Sequence, residues 1–189
     1  IFAGWLVFRV MSAPRGTPAI LEIQKAIAEG ANAYMKKQYT VVTLFFAVAF
    51  VGFYILAHMG FVSIFVPYAF LTGGLCSGLS GFVGMQVAIR ANGRTAFAAT
   101  KSLNQALRVA FSGGAVMGFV VVGFGLLDLA CWYFFLDHYY AALEPHKRIE
   151  IIASAMLSFG MGASIQELFA RVGGGIFTKA ADVGADLVG

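Results

Sequence analysis

Uninterrupted apolar runs dominate this chain. TVVTLFFAVAFVGFYILAHMG (40–60) contains no Asp, Glu, Lys or Arg, and neither does the run at 62–89. Two more follow at 109–136 and 149–178, the last continuing to the end of the chain. A helix needs about 20 predominantly apolar residues to cross a bilayer, and each run meets that length. No segment shows the apolar/polar alternation of a strand, so a helical bundle is favoured over a barrel. Composition agrees: 60% of residues are hydrophobic and 12% charged, against about 45–50% and about 25% in soluble domains. IFAGWLVFRV (1–10) begins without Met and reads as the end of a further span reaching about Met11. The expectation is an all-α, polytopic transmembrane bundle of about five spans (1–11, 40–60, 62–89, 109–136 and 149–189), forming a single portion of one membrane domain cut at both ends from a larger protein.

The net charge of +4 could suggest nucleic acid, but no basic cluster is interleaved with aromatics, and a nucleic-acid partner is not expected. The basic residues instead fall unevenly between spans. Arg9, Arg15, Lys25, Lys36 and Lys37 lie at or after the first span, and Arg90, Arg94, Lys101 and Arg108 lie between the third and fourth. The second-to-third turn has none, and Lys147 and Arg148 are offset by Asp137 and Glu144. An excess of Lys and Arg marks cytoplasmic loops. The first and third connections are then cytoplasmic, the fifth span runs inward, and its C-terminal end emerges in the cytoplasm.

EIQKAIAEGANAYMKKQY (22–39) and RANGRTAFAATKSLNQAL (90–107) favour helix and contain no proline. They are expected to extend the spanning helices rather than lie as interfacial helices. Small residues recur at helical spacing in Gly73-Ser77-Gly81, Gly74-Gly78, Gly114-Gly118 and Gly160-Ser164, a pattern that lets helix backbones approach closely. Trp5, Tyr54, Trp132, Tyr133, Tyr139 and Tyr140 fit aromatic belts at span ends. His58, His138 and His146 read as solvated, and Cys76 and Cys131 as buried small apolar residues rather than a disulfide or metal site. Asp128, in GLLDLACWYFF, is expected to be partly hydrated or hydrogen-bonded, with proton handling as the alternative.

The fifth span carries a polar stripe. At 100° per residue Glu167, Arg171, Gly175, Thr178, Asp182, Asp186 and Gly189 fall within an arc of about 100°, with Lys179 slightly outside it. A charge at mid-membrane costs roughly 2.5–3.5 kcal/mol, so Glu167 and Arg171 together would cost about 5–7 kcal/mol unless paired or turned toward water. The stripe is expected to face the bundle interior, with Glu167 and Arg171 as an i, i+4 pair. Two carboxylates at i, i+4, Asp182 and Asp186, suit Mg²⁺, which is usually held by one or two carboxylates together with substrate phosphates. Lys179, one turn away, offers a point charge to a phosphate oxygen, and Gly173-Gly174-Gly175 leaves room for close approach. A solvated helix end with Lys179 as a local ion-pair partner remains the bland alternative.

RVGGGIFTKAADVGADLVG (171–189) closely resembles the signature of membrane-bound, ion-pumping pyrophosphatases. AIAEGANAYMKKQY (26–39), GFVGMQVAIRANGRTAFAA (81–99) and FSGGAVMGFVVVGFGLL (111–127) resemble that family in the same order, so the resemblance covers essentially the whole chain. It implies the first five of about sixteen spanning helices of a homodimeric, multi-pass protein of a prokaryotic cytoplasmic membrane. The implied activity is hydrolysis of pyrophosphate coupled to pumping of H⁺ or Na⁺, with Mg²⁺ and in some members K⁺. The family motif is an Asp, seven residues, a Lys and then x-Glu. Asp182 matches its first position, so the chain is expected to end inside the active-site helix.

By the same resemblance Lys179 would contact pyrophosphate, and Asp182 and Asp186 would help hold Mg²⁺. Arg171 would belong to an ion gate beneath the hydrolytic site. The water-activating carboxylates would lie on later helices of the full-length chain, so no catalytic residue is expected here, and residues 1–189 alone are expected to be inactive. Glu167 departs from the pattern, where a small residue is more usual. It is a candidate for coupling, with simple neutralisation of Arg171 as the alternative. A secondary ion transporter without hydrolytic chemistry is the competing reading, distinguished by whether Lys-x-Glu follows.

Overall fold

A computed structural model describes residues 1–188; Gly189, the last member assigned to the polar stripe, lies outside the described residues. The described residues form five helices and no strand: α1 (Phe2–Met11), α2 (Pro18–His58), α3 (Val66–Ala99), α4 (Leu103–Tyr139) and α5 (Pro145–Val188). All but α1 are long and apolar enough to cross a membrane. With 41 residues in α2 and 44 in α5, each exceeds ~60 Å at about 1.5 Å per residue, twice the ~30 Å hydrocarbon core. Residues 22–39 lie inside α2 and 90–99 inside α3, so these polar stretches prolong the helices. A short turn at Thr100–Ser102 separates α3 from α4.

Local chemistry sets the helix ends. Gly16, at φ 98°, turns the chain before Pro18, whose fixed φ suits a first helical position; the Thr17 hydroxyl accepts the Ile20 N–H at 3.5 Å. α2 ends in a left-handed Gly60, φ 81°. There the Gly60 N–H donates to the Ala57 carbonyl and the Phe61 N–H to the Leu56 carbonyl, both at 3.1 Å, the paired bonds that satisfy a helix's last carbonyls. Ser102 caps α4 by accepting the Gln105 N–H at 3.2 Å.

The chain divides into two compact units. The first comprises Ile1–Lys37 and Ser80–Val122, with Leu6, Val10, Val87, Ala91 and Val116 as its core. Arg94, only 4% exposed, ties α3 to the end of α1. Its Nε donates to the Ala13 carbonyl at 3.1 Å, its Nη2 to the Met11 carbonyl at 3.4 Å, and its Nη1 to the Arg90 carbonyl. Close to it, Gly16 packs against Phe97 and Ile20.

The second unit comprises Gln38–Leu79 and Gly123–Gly189. One apolar cluster joins Ala69, Leu136, Ile152, Ala155 and Phe159, and another joins Val42, Phe46 and Phe70. A side chain on Gly73 would collide with the Phe159 carbonyl, one on Gly162 with the Phe70 carbonyl, and one on Gly74 with the Phe46 ring. Of the expected small-residue rows on the third span, Gly73 and Gly74 pack closely and Gly78 makes ordinary contact. Gly114, Gly118 and Gly160 have nothing within 4 Å of where a Cβ would stand, and Gly162 is the α5 glycine at the contact. Regular spacing marks a glycine row without saying which side of the helix has a neighbour.

Candidate functional site

α5 has two faces. Ile152, Ala155, Phe159, Gly162 and Gln166 are buried and recur at intervals of three and four, the repeat of a packing seam. Glu167, Arg171, Gly175, Thr178, Asp182 and Asp186 are exposed. At 100° per residue the stripe lies roughly 150° from the seam. The stripe therefore faces away from the described helices of its own unit, where an inward orientation was expected. The seam takes the apolar and small residues that can interdigitate with α3, and the charged residues occupy the opposite side.

Within the stripe, one pair forms. Lys179 Nζ lies 4.0 Å from Asp182 Oδ2, with the side chains 78% and 60% exposed; an exposed pair of this kind is worth about 0–1 kcal/mol. Glu167 and Arg171 do not form the expected ion pair, whereas Lys179 and Asp182, and Arg148 and Asp137, do pair. Both side chains are exposed, and an i, i+4 attraction of about 0.3–0.5 kcal/mol is too small to hold two long side chains together. Asp182 and Asp186 lie one turn apart on the same face. No group of three or more His, Cys, Asp or Glu positioned to hold a metal occurs among the described residues. Thr178 Oγ1 donates to the Gly174 carbonyl at 3.0 Å, bracing the helix beside the glycine run.

Sequence reasoning missed two features of this unit. Gln166 is 4% exposed, beside Gly78, where a Cβ would stand 3.6 Å from the Gln166 amide and 3.5 Å from the Tyr39 ring. The Tyr39 hydroxyl donates to the Gly78 carbonyl at 2.6 Å, so α2, α3 and α5 meet there at polar side chains. The only signal was a neutral amide one position before Glu167. The second feature surrounds Asp128. The Thr72 hydroxyl lies 3.0 Å from Asp128 Oδ2 and 3.1 Å from the Ala69 carbonyl, and it accepts the Trp132 Nε1–H at 2.8 Å. Asp128 is thus hydrogen-bonded, as expected, but Thr72 as its partner could not be found from spacing. The cysteines form no disulfide, and Cys131 is exposed rather than buried. His58 lies 3.1 Å from the Tyr54 carbonyl.

Comparison with known proteins places this arrangement. A "Putative K(+)-stimulated pyrophosphate-energized sodium pump" of Bacteroides thetaiotaomicron is 52% identical over 191 residues, covering 100% of this chain and 26% of that protein. A K(+)-insensitive pyrophosphate-energized proton pump of Methanosarcina mazei is 39% identical over 100% of this chain and 26% of its own length. Pyrophosphate-energized membrane proton pump 3 of Arabidopsis thaliana is 36% identical over 95% of this chain and 24% of its own length. The chain therefore spans about a quarter of the length of these relatives. Residues 1–189 match the family described as inorganic H+ pyrophosphatase. Apolar helices of membrane-crossing length agree with that match, and the chain belongs to the inorganic H+ pyrophosphatase family as part of an integral, multi-pass membrane protein.

Proposed function

We propose that the full-length protein hydrolyses inorganic pyrophosphate with Mg²⁺ and couples the reaction to export of H⁺ or Na⁺ from the cytoplasm. The carrying observation is the placement of Lys179, Asp182 and Asp186 on an exposed face of α5, in a chain matched to the family along its whole length. Membrane energetics favour covering this face. A stripe containing Glu167 and Arg171 is expensive against lipid, and its cover has to come from elements outside the described residues.

The donor set fits Mg²⁺ in part. Asp182 and Asp186 would supply two hard oxygen ligands, with substrate phosphate, water and groups outside the described residues supplying the rest. When bound, the metal neutralises charge on the phosphates and stabilises the leaving group. Lys179 supplies a mobile ammonium for a phosphate oxygen, released from its weak contact with Asp182. With two carboxylates and no third acidic or imidazole ligand grouped with them among the described residues, residues 1–189 alone would not hydrolyse pyrophosphate.

Arg171 and Glu167 sit 11 and 15 positions before Asp182, roughly 16 Å and 22 Å along the helix. That spacing is compatible with a gate at Arg171 lying apart from the hydrolytic residues, with Glu167 either contributing to coupling or simply neutralising Arg171. Positive-inside counting puts the Asp182 end in the cytoplasm, consistent with a substrate made there. A homodimer in a prokaryotic cytoplasmic membrane completes the proposal. Relatives include both K(+)-stimulated and K(+)-insensitive pumps, so K⁺ is a variable of the test.

The deciding experiment uses the full-length protein in sealed vesicles, following Mg²⁺-dependent phosphate release together with internal pH and Na⁺, with and without K⁺. Pyrophosphate-driven accumulation of H⁺ or Na⁺ is expected. Ion flux that is indifferent to pyrophosphate would instead indicate a secondary transporter.

A further inference from the structure

We infer that the corner between the end of α1 and α3 binds the phosphate headgroup of an anionic phospholipid through Arg15 and Arg90, with Arg94 as the fixed backing of the site. All of these residues lie in one compact unit. The argument begins with Arg94, whose three hydrogen bonds to the Met11, Ala13 and Arg90 carbonyls hold its guanidinium in place. Arg15 follows directly. The chain is pinned on one side of it by Ala13, which accepts from Arg94, and on the other by Gly16, packed against Phe97. Arg15 is thus held at the same end of α3 with its side chain exposed. Arg90 sits one helical turn before Arg94, also exposed, its Nη1 donating to the Gln86 carbonyl at 3.3 Å.

Burial lowers the pKa of the Arg94 guanidinium, and the like charges of Arg15 and Arg90 lower it further. No carboxylate forms an ion pair with any of these arginines among the described residues. Two exposed arginines flanking a backbone-anchored third, none of them in an ion pair with a carboxylate among the described residues, suit the forked chemistry of a phosphate.

The surroundings identify the source of that phosphate. Arg9, on the last turn of α1, lies with its guanidinium 5.5 Å from the centroid of the Trp5 ring. Phe2, Trp5 and Phe8 are exposed along the same helix, and Phe2 meets the edge of Phe119. Exposed aromatic side chains on the helix that ends at an arginine corner suit a lipid whose tail lies along α1 and whose headgroup reaches the arginines at an interface. A soluble phosphate would need no such surface.

The test measures lipid retained by purified full-length protein, using native mass spectrometry after exchange into phosphatidylglycerol or phosphatidylcholine nanodiscs. The wild type should retain phosphatidylglycerol selectively. Affinity should fall roughly fivefold for each arginine removed in Arg15→Gln and Arg90→Gln. Lys25→Gln/Lys37→Gln removes the same charge elsewhere and should leave retention intact. An Arg15→Lys/Arg90→Lys variant, which keeps the charge and the fold, should retain part of the binding. Equal loss in the Lys25/Lys37 control would overturn the site in favour of diffuse attraction. Retention unchanged in the Arg15→Gln/Arg90→Gln variant would also overturn it. Displacement of the lipid by millimolar inorganic phosphate or pyrophosphate would overturn the lipid as the source.

Discussion

Gly73 of α3 lies directly against the carbonyl of Phe159 on α5, and Gly162 of α5 lies in the same way against the carbonyl of Phe70 on α3. Each helix presents a missing side chain to the other's backbone oxygen, so this pair is set by backbone approach rather than side-chain interlock. Gly73→Ala and Gly162→Ala should each destabilise the full-length protein by about 1–3 kcal/mol. Gly160→Ala, with open space at its Cβ position, should be neutral or stabilising by up to about 1 kcal/mol. Thermal unfolding in detergent checks the contrast, and equal costs at all three glycines would refute it.

Thr72 joins Asp128 to Trp132 through one hydroxyl. Thr72→Val keeps the shape but removes both interactions, leaving a carboxylate and an indole N–H without that partner. A cost of about 1–3 kcal/mol is expected. In the double variant Thr72→Val/Asp128→Asn the costs should be non-additive, and a double-mutant cycle on unfolding measures the coupling. Strict additivity would show that the hydroxyl does not serve the carboxylate.

Lys179→Ala, Asp182→Asn and Asp186→Asn should each leave stability within about 1 kcal/mol, because the Lys179–Asp182 contact is long and solvent-exposed. Pyrophosphate hydrolysis should nevertheless fall by about 10²-fold or more, the usual loss when a charge-stabilising group is removed. Melting temperature and phosphate release, measured on the same full-length preparations, separate the two effects. A parallel collapse of both would assign these residues a structural role.

For Arg94 the sensitive property is local order. Lysine cannot reach three divergent carbonyls, so Arg94→Lys should lose about 1.5–3 kcal/mol and increase protease cleavage between Ser12 and Thr17. Cleavage unchanged from wild type would mean that Gly16 and Phe97 hold the turn unaided.

Glu167 stands exposed and unpaired with Arg171, so Glu167→Ala should cost no more than about 0.5 kcal/mol of stability. The ratio of ions transported to pyrophosphate hydrolysed should nevertheless change. Vesicle assays scoring both quantities decide it; an unaltered ratio assigns Glu167 no part in coupling.

The helical architecture was legible because apolar length is a local property: twenty oily residues in a row leave the backbone few alternatives in lipid. The extension of α2 through 22–39 was equally readable, since no proline or glycine cluster interrupts it. The orientation of features around each helix was not. Gly160 and Gly162 look alike in sequence, yet only Gly162 meets another helix. Arg94 resembles Arg90 in sequence, yet one is buried against the end of α1 and the other exposed. The stripe from Glu167 to Asp186 was correctly grouped on one face by periodicity. Its direction depends on which neighbours take the opposite seam, and Phe70 and Gly73 are some ninety positions away in the chain.

α5 runs from Pro145 to Val188 with no proline after its first residue. It acts as a single stiff shaft carrying Glu167, Arg171, Lys179 and Asp182 in fixed spacing. A displacement of the Asp182 end along the axis would be carried toward Arg171 by the helix backbone, and a twist there would tend to turn the arginine with it. Gly173–Gly175 is the one stretch where such a stroke could be absorbed, and the Thr178-to-Gly174 brace limits that loss. The two ends of the stripe are thus joined by one uninterrupted backbone.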